Sequence, residues 1–151
     1  MRVAGLSEPH TDEPTRTCLV HGWVMVLISV CLGLTLEALH LFKSPFYLEV
    51  SLRRDLWTLA HAHGTLLGLL VVVMGYSARA LIPAAEARNA PLKLLRAASV
   101  LVPCGFFLGG VWASEGDPSL FILLVPFGAA LLLFGIALIL YRHRLQQRRR
   151  S

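Results

Sequence analysis

Charge is what this chain is short of. Only 15% of its residues are Asp, Glu, Lys or Arg, while 56% are hydrophobic. A soluble domain of 151 residues needs a polar shell, and most of this chain has no side chains to build one from. Cysteine is scarce too. Cys18, Cys31 and Cys104 form no close pair and are odd in number, which argues against a disulfide scaffold and a paired-thiol redox motif. Cys31 and Cys104 fall inside apolar runs, where a thiol behaves as a small hydrophobe. There is no Ser-His-Asp pattern, phosphate loop or HExxH motif to support hydrolytic chemistry. No internal repeat of roughly 20 to 50 residues is present. Met1–Thr17 is too long and too acidic for a signal-peptide n-region, and no small-residue cleavage site follows the first apolar run. That run is therefore expected to be an uncleaved signal anchor.

What the chain has instead is four apolar runs, approximately 20–42, 57–83, 92–113 and 119–141. Spans of about 20 apolar residues match a hydrocarbon core roughly 30 Å thick. The expected fold is an all-α integral membrane four-helix bundle with short loops. Residues 1–19 are expected to be a disordered tail and 142–151 a basic tail.

The charge that exists is unevenly placed. Arg142, Arg144, Arg148, Arg149 and Arg150 are five of the fourteen basic residues, and the remaining nine balance the nine acidic ones. A basic run directly after a membrane helix reads as an anchor held by anionic lipid rather than as a nucleic-acid contact. The second loop carries Arg79, Arg88, Lys93 and Arg96 nearby, and the third loop carries no basic residue. The positive-inside rule then puts both termini on the cytoplasmic side, and the expected location is a bacterial inner (plasma) membrane. Lys43, Arg53 and Arg54 in the first loop pull mildly the other way.

The spacing of small residues predicts which faces pack. Gly33 on the first helix, Gly64 and Gly68 on the second, and Gly105 and Gly109 on the third fall on stripes that admit a neighbouring backbone. Pro45 is expected to end the first helix and Pro103 to kink the third. Asp117 followed by Pro118 reads as an N-cap with proline at the first helical position.

Ionisable side chains in membrane segments are uncommon and usually have a partner or a task. Glu37-x-x-His40 places a carboxylate and an imidazole on adjacent turns, a spacing used by metal sites in helix bundles. Glu37 lies roughly 7 Å below the first helix end, and His61 lies roughly 6 Å down the second, at 1.5 Å per residue. Glu115 sits in the loop above them. His63 is about 200° around the helix from His61, so an unbroken helix cannot aim both at one point. The expected site is Glu37, His40, His61 or His63, and Glu115, holding a transition-metal ion or a haem b. Each residue also has a plainer reading. Glu37 with His40 would serve as a buried hydrogen-bonded pair, Glu37 would pair with Arg53 or Arg54, and His63 would face headgroups.

The stretch His61-Ala-His63-Gly64-Thr65-Leu66-Leu67-Gly68, with Gly75-Tyr76 and Pro83, resembles a segment of short membrane proteins related to subunit I of haem-copper oxidases. The resemblance covers roughly one helix of four. It implies a haem-ligating histidine at His61 or His63. The histidine set that the catalytic subunits spread over many more helices is missing here, so the resemblance implies a minimal relative or accessory protein.

Three function classes follow. The first is haem or metal binding for electron transfer or metal handling. The second is a proton or small-solute relay through the same groups. The third is a non-catalytic assembly subunit whose small-residue faces dock a homo-oligomer or membrane partner. Enzyme status stays open.

Overall fold

In hydrocarbon the backbone must satisfy its own polar groups, so apolar runs of this length resolve into helices. The computed structural model describes residues 12–114 and 116–148. It contains α1 (Glu13–Leu41), the one-turn α2 (Pro45–Leu48), α3 (Ser51–Leu81), α4 (Ala85–Val111) and α5 (Leu124–Arg148), with a 3-10 turn at Leu120–Leu123 leading into α5. Four of these helices are long and apolar enough to cross a membrane. The chain is an all-α, four-helix integral membrane bundle.

The helix ends differ from the sequence expectation in instructive ways. α1 begins at Glu13, inside the segment expected to be a disordered tail. Asp12 caps it, its Oδ1 accepting from the Thr15 N–H at 3.2 Å, and Pro14 stands in the first turn, where its missing donor costs nothing. Residues 1–11 of the expected tail lie outside the described residues. The other end of α1 stops before Pro45 can act. Lys43 takes a left-handed φ of 49°, its N–H bonds to His40 O at 3.1 Å, and Ser44 N–H reaches Leu39 O at 3.0 Å. This is the Schellman closure usually built on glycine. Pro45 instead opens α2.

The third loop is also not as expected. Asp117 does not cap a helix. It exchanges backbone hydrogen bonds with Ser114, across a reversal in which Gly116 has φ of 95°. Ser119 precedes the 3-10 turn, and its hydroxyl turns back to Leu108 O at 3.0 Å. The basic segment after Tyr141 continues α5 through Arg148 rather than leaving it.

α1 packs on α3, α3 on α4, and α4 on α5, while α1 and α5 do not touch. The central pair α3 and α4 is accordingly 44% buried over its apolar windows, against 22% for α1 and 17% for the segment containing α5. One core, around Val71, Ile82, Leu92, Leu95 and Ile139, lies toward the chain termini; another, around Leu36, Tyr47 and Trp57, lies toward the first and third loops.

α4 carries two internal prolines. Pro91 has no N–H for Ala87 O, and the Arg142 guanidinium donates to that carbonyl instead. An arginine expected in a lipid-anchoring tail thereby ties α5 to α4. Arg144 is exposed on the same helical extension, which also carries Arg148; Arg149 and Arg150 lie outside the described residues.

Glycine sets the closest contacts. A Cβ at Gly68 would lie 2.9 Å from Gly22 O, and one at Gly22 would lie 2.6 Å from Gly68 O, so α1 and α3 cross backbone to backbone. Gly64 faces the Ser29 hydroxyl on the same seam. Between α4 and α5, a Cβ at Gly105 would stand 3.0 Å from Val125 N and one at Gly128 3.2 Å from Val102 N. Gly109 has ordinary room, with Ile122 at 3.4 Å. Replacing Gly68 with leucine is expected to destabilise the bundle by about 1–3 kcal/mol through overpacking. Leucine at the exposed Ala62 of the same helix is expected to be neutral. Unfolding of the detergent-purified protein in SDS, followed by circular dichroism, compares the two.

Candidate functional site

His61 is held by the α1–α3 seam. Its ring lies over Gly33, where an added Cβ would come within 2.5 Å of Cε1. Its Nδ1 is 2.7 Å from the backbone oxygen of Ser29. A carbonyl can only accept, so Nδ1 is the donor, and in the neutral ring Nε2 keeps its lone pair. Ser29 O is within reach because Ser29 is buried against Gly64, where the two backbones approach closely.

Beside this ring is a side-opening hollow of about 310 Å³, lined by Glu37 and Gly33 from α1, Tyr47 from α2, and Thr58 and His61 from α3. Tyr47 is buried and stacked on Trp57, with centroids 6.1 Å apart. Its phenol therefore forms a fixed wall, whereas Glu37 is exposed at the rim.

The other expected ligands do not join this pair. His40 is exposed and meets the edge of Tyr47 at 6.5 Å between centroids. His63 turns to the opposite side of α3. Its Nδ1 is 2.9 Å from Leu59 O of its own helix, and its ring packs on Phe106 of α4 at 4.9 Å. Glu115 lies outside the described residues. Among the described residues, no three His, Cys, Asp or Glu side chains are grouped so as to hold a metal ion. The inward line of α1 is Gly22, Ser29 and Leu36, and Glu37 is turned about 100° from it; His40 keeps to that side but stands in the last turn of α1, exposed against the edge of Tyr47. No hydrogen bond or ion pair joins Glu37 to His40, Arg53 or Arg54.

Arg53 has a different task. It is 8% exposed, and its Nε donates to Gly110 O at 3.1 Å and its Nη2 to Val111 O at 3.5 Å. It also donates to Phe46 O and lies 4.0 Å over the Phe46 ring. The Gly110 and Val111 carbonyls end α4, where the helix dipole is negative and the regular i+4 donors run out, although Gly110 O also accepts from Ala113 N–H at 3.3 Å. Arg54 donates to Leu48 O at 3.4 Å.

No known family model, curated protein or solved structure matches this chain.

Buried polar contacts also occur where no motif marks them. His21 Nε2 is 2.9 Å from Ser99 Oγ, and that hydroxyl gives its own proton to Arg96 O at 2.8 Å. His21 must therefore be the donor. At the same end, Arg88 is fully buried, bonded to Asp12 and to the carbonyls of Ile82 and Pro83. The two buried arginines, Arg53 and Arg88, read as loop and topogenic charges in the linear sequence. Only their carbonyl partners reveal what they do.

Proposed function

We propose that the chain is a membrane haem-binding protein in which Nε2 of His61, at the loop-end hollow, would hold the haem iron. The observation that carries this reading is the 2.7 Å contact between His61 Nδ1 and Ser29 O. Iron-ligating histidines commonly donate their second ring nitrogen to a carbonyl, which sets the tautomer and raises the basicity of the ligating nitrogen. Haem needs only one or two axial side chains, whereas a bare transition-metal ion needs several converging donors. The residues described here fit the first requirement and not the second.

When bound, haem supplies one-electron chemistry. The protein's own contribution is to hold the imidazole against Gly33, to wall the hollow with Tyr47 stacked on Trp57, and to place the Glu37 carboxyl on the same hollow. The resemblance around His61 and His63 favours the same assignment.

Purification in mild detergent with an optical spectrum and iron analysis tests it. A Soret band is expected, lost in His61→Gln and retained in His40→Ala. Glutamine keeps a donor for Ser29 O but does not ligate iron, so this variant separates ligation from packing. A preparation with neither Soret absorbance nor stoichiometric iron would overturn the haem reading. It would leave the assembly role as the better account.

A further inference from the structure

At the end of the bundle that carries the chain termini, a hollow of about 530 Å³ opens between α1 and α4. Arg16, Val20 and Val24 lie on its α1 side at steps of four, which places them on one face of the helix. Cation comes first and apolar surface follows deeper in the bundle, with Val20 60% and Val24 46% exposed. Arg96 enters from α4.

Neither guanidinium is used by the fold. Among the described residues Arg16 and Arg96 make no side-chain hydrogen bond or ion pair, and Arg96 Nε is buried without a partner. A buried guanidinium N–H left unpaired is costly, so this arrangement calls for an anionic acceptor. Glu13, the carboxylate on the rim, accepts from Thr17 Oγ1 at 3.4 Å. His21 is held by Ser99. Two arginines against one rim carboxylate leave the hollow net positive.

We propose that this hollow binds the phosphate of an anionic phospholipid between Arg16 and Arg96, with an acyl chain lying along Val20 and Val24. Planar guanidinium forks match phosphate oxygens, and basic pockets between membrane helices at one leaflet take such headgroups. Free phosphate shares the headgroup chemistry but gains nothing from the two valines.

Native mass spectrometry of the full-length chain in mild detergent tests this with added phosphatidylglycerol or phosphatidylcholine. Thermal unfolding with inorganic phosphate supplies the other arm. Phosphatidylglycerol is expected to be retained over phosphatidylcholine, and Arg16→Gln is expected to weaken its retention roughly fivefold. The exposed Arg144→Gln is expected to leave it unchanged. Arg96→Gln should weaken retention in the same way; because Arg16 is exposed, the Arg16 variant decides the matter even if the Arg96 variant does not fold. Equal retention of the two lipids, or retention unaffected by Arg16→Gln, would overturn the proposal. Inorganic phosphate that protects as well as the lipid would make free phosphate the ligand and overturn it too.

Discussion

Arg88→Ala is expected to destabilise the bundle by about 3–5 kcal/mol, the range for removing one partner of a buried ion pair. Arg88 is fully buried and Asp12 is 26% exposed, so little of the pair is screened by water. The guanidinium joins two separate pieces of chain to α4: the N-cap of α1 through Asp12, and the end of the α3 segment through Ile82 O and Pro83 O. Its loss strands all of these acceptors at once. Asp12→Asn is expected to cost less, because Thr15 N–H can still bond to the amide oxygen. The pair also has a pH signature. Burial alone would raise the Asp12 carboxyl, but hydrogen bonds from Thr15 and the charges of Arg88 and Arg79 outweigh it and hold the group below its ordinary 3.8. The folded-state value is the lower one, so this stabilisation is complete above 3.8 and is lost as the pH falls through the folded-state value. SDS unfolding of wild type and Arg88→Ala as a function of pH checks both statements. An Arg88→Ala cost below about 1 kcal/mol, the level of an exposed pair, would show that the anchor is not needed.

Arg53→Ala is expected to cost about 3 kcal/mol, the upper end for hydrogen bonds to a charged group, since several carbonyls lose their donor together. The site is the end of α4. Arg53 covers Gly110 O and Val111 O, and Ser119 covers Gly109 O and Leu108 O. Trp57 Nε1 adds a bond to Phe107 O at 2.9 Å, with its ring stacked on Phe107 at 5.1 Å. Arg53→Lys is expected to recover part of the loss, because an ammonium keeps the favourable charge at the helix end but lacks the planar fork. Ser119→Ala, at the same helix end, is expected to cost about 1 kcal/mol. Unfolding followed by tryptophan emission reports directly on the packing around Trp57. A loss within about 0.5 kcal/mol for Arg53→Ala would place it with ordinary surface changes and sink the capping role.

Much of the fold is legible in the linear chain because its signal is local and repeated. Runs of leucine, valine and isoleucine leave a helix as the way to satisfy the backbone, whatever the neighbours are. Signals resting on one or two residues fared differently. Asp117-Pro118 has the composition of a helix start, yet Ser119 stands there and Asp117 pairs with Ser114. The segment 13–19 has the composition of a tail, yet it is helix because Asp12 is clamped by Arg88, a residue far away in the chain. Pro91 frees a carbonyl that is answered by Arg142, again from another helix. No local window contains both halves of such pairs.

The candidate site divides along the same line. His61 stands out in the chain as an imidazole in an apolar run. Its proton, by contrast, is assigned by Ser29 O on another helix. The equal depth of Glu37, His40 and His61 follows from counting residues. Depth along a helix is set by rise alone, but the direction a side chain faces depends on how the helix is turned against its neighbours.

Scarce charge and four hydrocarbon-length runs were enough to determine an all-helical membrane protein, because a spanning backbone has few other solutions. That His61 meets Ser29 O was decided only when Gly22, Gly64 and Gly68 set the rotation of α1 on α3, and that Arg53 closes the end of α4 was decided by the packing of α3 on α4. Close backbone packing is a property of two surfaces together, and neither surface specifies it alone.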